Sequence, residues 1–135
     1  MNAVIVDTSS WCHYFSGMTY PVIDATLTAG QIYLPPIVVA ELTSGQLSRT
    51  KKGALIDFLR DLPLIEVDFN HWIRVGELRQ MAAAKGLSIS TPDAHIAQCC
   101  IDFHAVLVSE DKIFGKLNVK LPQLGLTVHS QKTKP

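Results

Sequence analysis

The segment that most constrains the fold is the first one. Ala3, Val4, Ile5 and Val6 form an unbroken apolar run, and Asp7 ends it. A run without alternation suits a strand covered on both faces, as in a parallel sheet, better than an edge strand with one wet face. Thr8, Ser9 and Ser10 follow at once, hydroxyl residues of the kind that open helices. Asp7 is therefore expected at the carboxyl end of a buried strand, where open α/β sheets bind their ligands. Taken alone, it reads equally well as a simple helix cap.

The rest of the chain repeats the pattern. Further strands are predicted at Gln31–Leu34, stopped by Pro35 and Pro36, and at Leu64–Val67, Ala105–Val108 and Leu126–Val128. Between them the spacing predicts helices over Ser10–Phe15, Tyr20–Ala29, Ile37–Leu42, Lys51–Asp61 and Asn70–Lys85. Two more run from Asp93 to about Phe103 and from about Asp111 to Leu117. In the longest helix Trp72, Val75, Leu78 and Met81–Ala82 mark a core-facing stripe. Thr91-Pro92-Asp93 reads as a helix start with Thr91 as its cap. Strands alternating with helices imply a three-layer α/β/α fold around a central, mostly parallel sheet of four to five strands. One domain is expected over residues 1–130, with 131–135 as a polar C-terminal tail.

Composition excludes more than it proposes. No apolar run approaches the roughly 18–20 residues that span a bilayer, and the start lacks the basic and apolar regions of a signal peptide. A cytoplasmic protein without membrane association is expected. Three cysteines without C-x-x-C spacing argue against a disulfide framework or a zinc site, and for a reducing compartment. Twelve basic and twelve acidic residues cancel, so charge gives no sign of a nucleic-acid partner. Two small basic groups, Arg49, Lys51 and Lys52, then Lys112, Lys116 and Lys120, read mainly as solvated faces that could touch phosphates. Neither G-x-G-x-x-G nor G-x-x-x-x-G-K-[ST] occurs, which excludes the common dinucleotide and P-loop sites.

Three further acids fall in places comparable to that of Asp7. Glu41 lies about one turn into the helix after the second strand, with Ile37 and Val38 beneath it and Leu42 beside it, an apolar setting for a glutamate. Asp93 opens the helix before the fourth strand, where an acid also complements the helix dipole. Asp111 follows the fourth strand in V-L-V-S-E-D, with Glu110 as a competing candidate. Carboxylates converging on one rim repel one another and raise one another's pKa unless a cation intervenes. An all-oxygen donor set suits Mg²⁺ or Mn²⁺ rather than zinc or copper. One or two such ions suit hydrolysis of a phosphodiester, with no serine, cysteine or histidine nucleophile. Transfer through an aspartyl-phosphate on Asp7 would want a second acid two residues on, where the chain has Ser9.

Four motifs carry a family resemblance. V-D-T-S-S-W at Val6–Trp11, P-P-I-V-V-A-E-L at Pro35–Leu42, P-D-A-H-I-A at Pro92–Ala97 and L-V-S-E-D-K-I-F at Leu107–Phe114 resemble, in order and spacing, those of the PIN-domain ribonucleases. They are most similar to the VapC-type toxins of type II toxin–antitoxin pairs. The resemblance runs from about residue 3 to about residue 128. It implies a Mg²⁺- or Mn²⁺-dependent endoribonuclease, acting on RNA, that forms a homodimer and is inhibited by a small cognate antitoxin. By motif position it makes Asp7, Glu41, Asp93 and Asp111 the catalytic, metal-binding set, with Thr8 or Ser9 as a supporting hydroxyl. The family's last motif commonly reads T-x-D-x-D-F; here Ser109 replaces the Thr and Ile113 the second Asp. That departure keeps an alternative open, a catalytically degenerate PIN-like domain serving as an RNA-binding or protein-interaction module. His95, near the same rim, is a candidate for substrate contact and otherwise a partly exposed helix residue. His13, His71, His104 and His129 show no spacing suggestive of a metal.

Overall fold

The computed structural model describes residues 2–130. Its sheet starts with β1 (Val4–Val6), all three side chains buried as the apolar run requires. β1 pairs in parallel with β2 (Val106–Val108), Ile5 opposite Leu107, and β2 pairs in parallel with β3 (Thr127–His129). Ile5, Val6 and Leu107 have no exposed surface, and burial of each such side chain is worth roughly 1.5–3 kcal/mol.

The second and third predicted strands shrink to single bridges, Val4 with Ile32 and Leu34 with Leu64, both parallel. The sheet therefore has three strands among the described residues, where four to five were expected, although both bridges extend it in the expected direction. The physical reason is division of a short segment between two neighbours. The Tyr33 amide donates to Val4 O and the Ile65 amide to Leu34 O, each at 2.9 Å. Pro35 and Pro63, which carry no amide hydrogen, bound the two segments. The predicted tail, residues 131–135, lies outside the described residues.

Among the described residues seven α-helices fill the connections: α1 (Thr8–Phe15), α2 (Pro21–Thr28), α3 (Pro36–Thr43), α4 (Arg49–Arg60), α5 (Phe69–Ala84), α6 (Thr91–Phe103) and α7 (Lys112–Lys120). Side chains of Asp7, Ser48, Asp68, Ser90 and Asp111 cap five of them by accepting first-turn amides. Ser90, not Thr91, caps α6, which moves Pro92 to the second helical position. α6 is buried without interruption from Ala94 to Cys100 and packs against β1, β2, α3 and α5. Helices around a parallel sheet make the expected α/β/α arrangement.

The stripe of α5 differs from its expected one. His71, Val75, Leu78 and Ala82 are buried, whereas Trp72 and Met81 are 41% and 40% exposed. Spacing of four, three and four selects one face, and a polar residue opens it because His71 finds partners on α6. At the other end of the fold Trp11 is fully buried. It stacks on Phe15 with ring centroids 5.5 Å apart and meets Phe58 of α4 edge-on at the same distance.

Candidate active site: a carboxylate rim

Asp7 passes directly from β1 into α1, and three donors fix its carboxylate. Oδ1 accepts the Ser10 amide at 2.9 Å, Oδ2 accepts the Ser109 hydroxyl at 2.5 Å, and Ser9 Oγ lies 3.3 Å from Oδ2. The capping reading is thus correct but incomplete, because the second oxygen also bonds Ser109 at the end of β2. Asp7 is 4% exposed, and no lysine, arginine or histidine pairs with it among the described residues. Buried charges are ordinarily paired or bound to metal.

Thr8 places Glu41. Its hydroxyl donates to Glu41 Oε1 at 2.6 Å, tying α3 to the start of α1. Glu41 is exposed although Val38 and Leu42 on the same helix are buried, so the apolar setting read for it holds only beneath its backbone. Asp93 is half-buried in the first turn of α6. Burial pushes its carboxyl up, and the charges of Asp111, Glu41 and Asp7 push the same way against a hydrogen bond with Ser90. All three other predicted acids therefore act on Asp93. Burial and the charges of Asp7 and Glu41 likewise raise the Cys12 thiol.

Asp111 is exposed; it caps α7 through the Ile113 amide at 3.0 Å and donates its own amide to Ser109 Oγ at 3.0 Å. Ser109, which stands where the resembling motif has threonine, supplies a hydroxyl to the same neighbourhood. Glu110, the competing acid, accepts the Ser130 hydroxyl at 2.9 Å. The charges of Asp111, Glu41 and Asp7 all reach Asp93, and oxygen donors of this kind suit a hard divalent cation, but among the described residues the carboxylate oxygens of the four are not gathered into one metal-sized cluster. From Cys12 an apolar groove of about 590 Å³ leads between α1, α3 and α4, lined by Phe15, Leu42, Leu47, Leu55 and Phe58.

His95 requires a correction. It has no exposed surface, so it neither contacts substrate at the rim nor sits partly exposed on its helix. Its Nδ1 lies 2.7 Å from His71 Nε2, its ring stacks on Trp72 with centroids 4.7 Å apart, and Cys99 Sγ is 3.7 Å from its Nε2. Burial, then the neighbouring His71, pushes His95 down to about 4, and burial pushes Cys99 up to about 12. Residue spacing gave no sign of this cluster, since His71 and His95 come from different helices. The four-residue step from His95 to Cys99 was its one local signal.

The fold and rim define a class, the α/β/α proteins with an acidic edge at the strand ends. The PIN domain family model matches residues 4–120, and the chain belongs to that family. Solved structures agree at the level of the fold. VapBC2 from Rickettsia felis, bound to a DNA fragment from its promoter, matches with a TM-score of 0.76 at 22% identity, covering 95% of this chain and 98% of that one. DNA-bound VapBC from Salmonella typhimurium gives 0.79 at 19% identity, covering 96% and 98%. VapBC-1 from nontypeable Haemophilus influenzae gives 0.73 at 16%, covering 97% and 99%. Among curated proteins none matches by sequence. No helix among the described residues is long and apolar enough to cross a membrane.

Proposed function

We propose that this PIN-domain protein is an endoribonuclease whose rim holds Mg²⁺ or Mn²⁺, and that it acts as the toxin of a toxin–antitoxin pair. The observation that carries the reading is Asp7, a buried carboxylate supplied with hydrogen bonds but, among the described residues, with no cationic side chain paired to it. Asp7, Glu41, Asp93 and Asp111 would hold the ion. When bound, such an ion lowers the pKa of a water and stabilises charge on a phosphodiester. The chain's own contribution is positioning: Ser109 and Ser10 orient Asp7, and Thr8 orients Glu41.

The structural neighbours named as VapBC, a toxin–antitoxin complex among the matches, and the apolar groove beside Cys12 support a small antitoxin as partner. Phe69 and Ile73, 78% and 47% exposed on α5, offer apolar area that a second copy would cover in a homodimer. The test is expression of the chain with and without its co-encoded partner, together with RNA cleavage by the purified protein. Growth arrest relieved by the partner, and Mg²⁺-dependent cleavage lost in Asp93→Asn, support the proposal. Tight RNA binding without cleavage supports a degenerate binding module instead.

A further inference from the structure

α5 and α6 carry a second cluster, chemically unlike the rim. One ligand atom from each of His71, His95 and Cys99 lies within 4.8 Å of the others, and all three residues are buried. A neutral hydrogen-bond relay from Cys99 through His95 and His71 to Asp102 accounts for the contacts themselves. Three features also suit the cluster to a metal ion.

The first is the donor set. Two imidazoles and a thiol are the ligands that zinc prefers, and they suit magnesium poorly. Cys99 Sγ lies 3.7 Å from His95 Nε2; Zn–N of about 2.0 Å and Zn–S of about 2.3 Å place a nitrogen and a sulfur roughly 3.6 Å apart around a tetrahedral ion. The second is the support behind His71. Its Nδ1 faces Asp102 Oδ2 at 3.3 Å, while Arg74 and Gln98 each donate to Asp102 at 2.9 Å. A carboxylate in that position fixes tautomer and ring orientation in metal-binding histidines. The third is access. A polar cleft of about 480 Å³, lined by Glu66, Asp68, Asp102 and His71, runs from the surface to one member of the cluster.

We propose that His71, His95 and Cys99 form a binding site for a zinc-like divalent cation, separate from the carboxylate rim and joining α5 to α6. Loading opens the hydrogen bond between His71 Nε2 and His95 Nδ1 and turns the His95 ring, because Nε2 is the nitrogen that faces Cys99 while Nδ1 faces His71. The imidazoles bind as neutral rings, and the Cys99 thiol proton leaves to solvent.

The experiment titrates Co²⁺ into the full chain carrying Cys12→Ser, which removes the thiol nearest the rim. Thiolate-to-cobalt absorption saturating at one equivalent, and abolished by excess Zn²⁺, is the expected result. It should be lost in Cys99→Ala and kept in Cys100→Ser, and Asp102→Asn should weaken cobalt binding on the order of 10- to 100-fold. Should Cys99→Ala fail to fold, X-ray absorption of the zinc-loaded Cys12→Ser chain decides, with one sulfur and two imidazoles expected. Absence of thiolate absorption, its survival in Cys99→Ala, or a zinc shell without sulfur overturns the proposal.

Discussion

Ser109 donates its hydroxyl proton to Asp7 Oδ2 at 2.5 Å, joining residues 102 positions apart in the chain. Ser109 Oγ in turn accepts the Asp111 amide at 3.0 Å. One small side chain therefore ties together the ends of β1 and β2 and positions two of the four rim acids.

Ser109→Ala removes that tie and leaves a buried carboxylate one donor short. The expected loss is about 1–3 kcal/mol in urea unfolding, whereas Ser109→Thr, which keeps the hydroxyl, should retain most of the stability. Equal stability of Ser109→Ala and wild type would show that the contact contributes nothing.

Asp93 sets a pH dependence of known sign. Its folded-state pKa is raised by burial first and by Asp111, Glu41 and Asp7 next, so the folded chain binds this proton more tightly than the unfolded one. The destabilisation is absent below the ordinary value of 3.8 and grows as pH rises to and through the raised pKa. Metal-free Asp93→Asn should accordingly gain stability over wild type above that range and match it at the acid end. Thermal melts from acid to neutral pH check this.

Asp102 behaves oppositely. Burial pushes its carboxyl up, but hydrogen bonds from Arg74, Gln98 and His71 outweigh that and leave it below the ordinary value. Its stabilisation is complete above 3.8 and disappears as pH falls through the depressed pKa. The advantage of wild type over Asp102→Asn should therefore be present at neutral pH and vanish in acid.

The corrected stripe of α5 can be tested directly. Leu78 is fully buried and Met81 is 40% exposed. Leu78→Ala should cost about 2–5 kcal/mol, and Met81→Ala should stay within roughly 0.5 kcal/mol, as surface substitutions usually do. Comparable losses at both positions would restore the stripe expected from sequence.

Local signals made most of this fold legible. The apolar run before Asp7, the prolines at 36 and 92 and the glycine-bounded helices place β1, α3, α5 and α6 within a residue or two. Legibility fails where partners are remote. Ile32 and Leu34 look like one strand, yet each bonds a different neighbour, which sequence alternation does not encode. Trp72 reads as core because it is large and apolar. His71 holds that position instead, through contacts with His95 and Asp102 on another helix. The acids were readable from their places after strands and at helix starts. Thr8 reads as a supporting hydroxyl and meets Glu41, whereas the bond from Ser109 to Asp7 spans 102 positions and carries no local signal.

In the proposed function, side chains from four separate segments share one hard divalent ion. Mn²⁺ titration followed by electron paramagnetic resonance of the free ion tests it most directly. Wild type should bind Mn²⁺, and Asp7→Asn and Asp93→Asn should each weaken binding on the order of tenfold or more, about 1.4 kcal/mol, with circular dichroism unchanged. Absence of Mn²⁺ binding by the wild type, or wild-type affinity in both variants, would contradict the account.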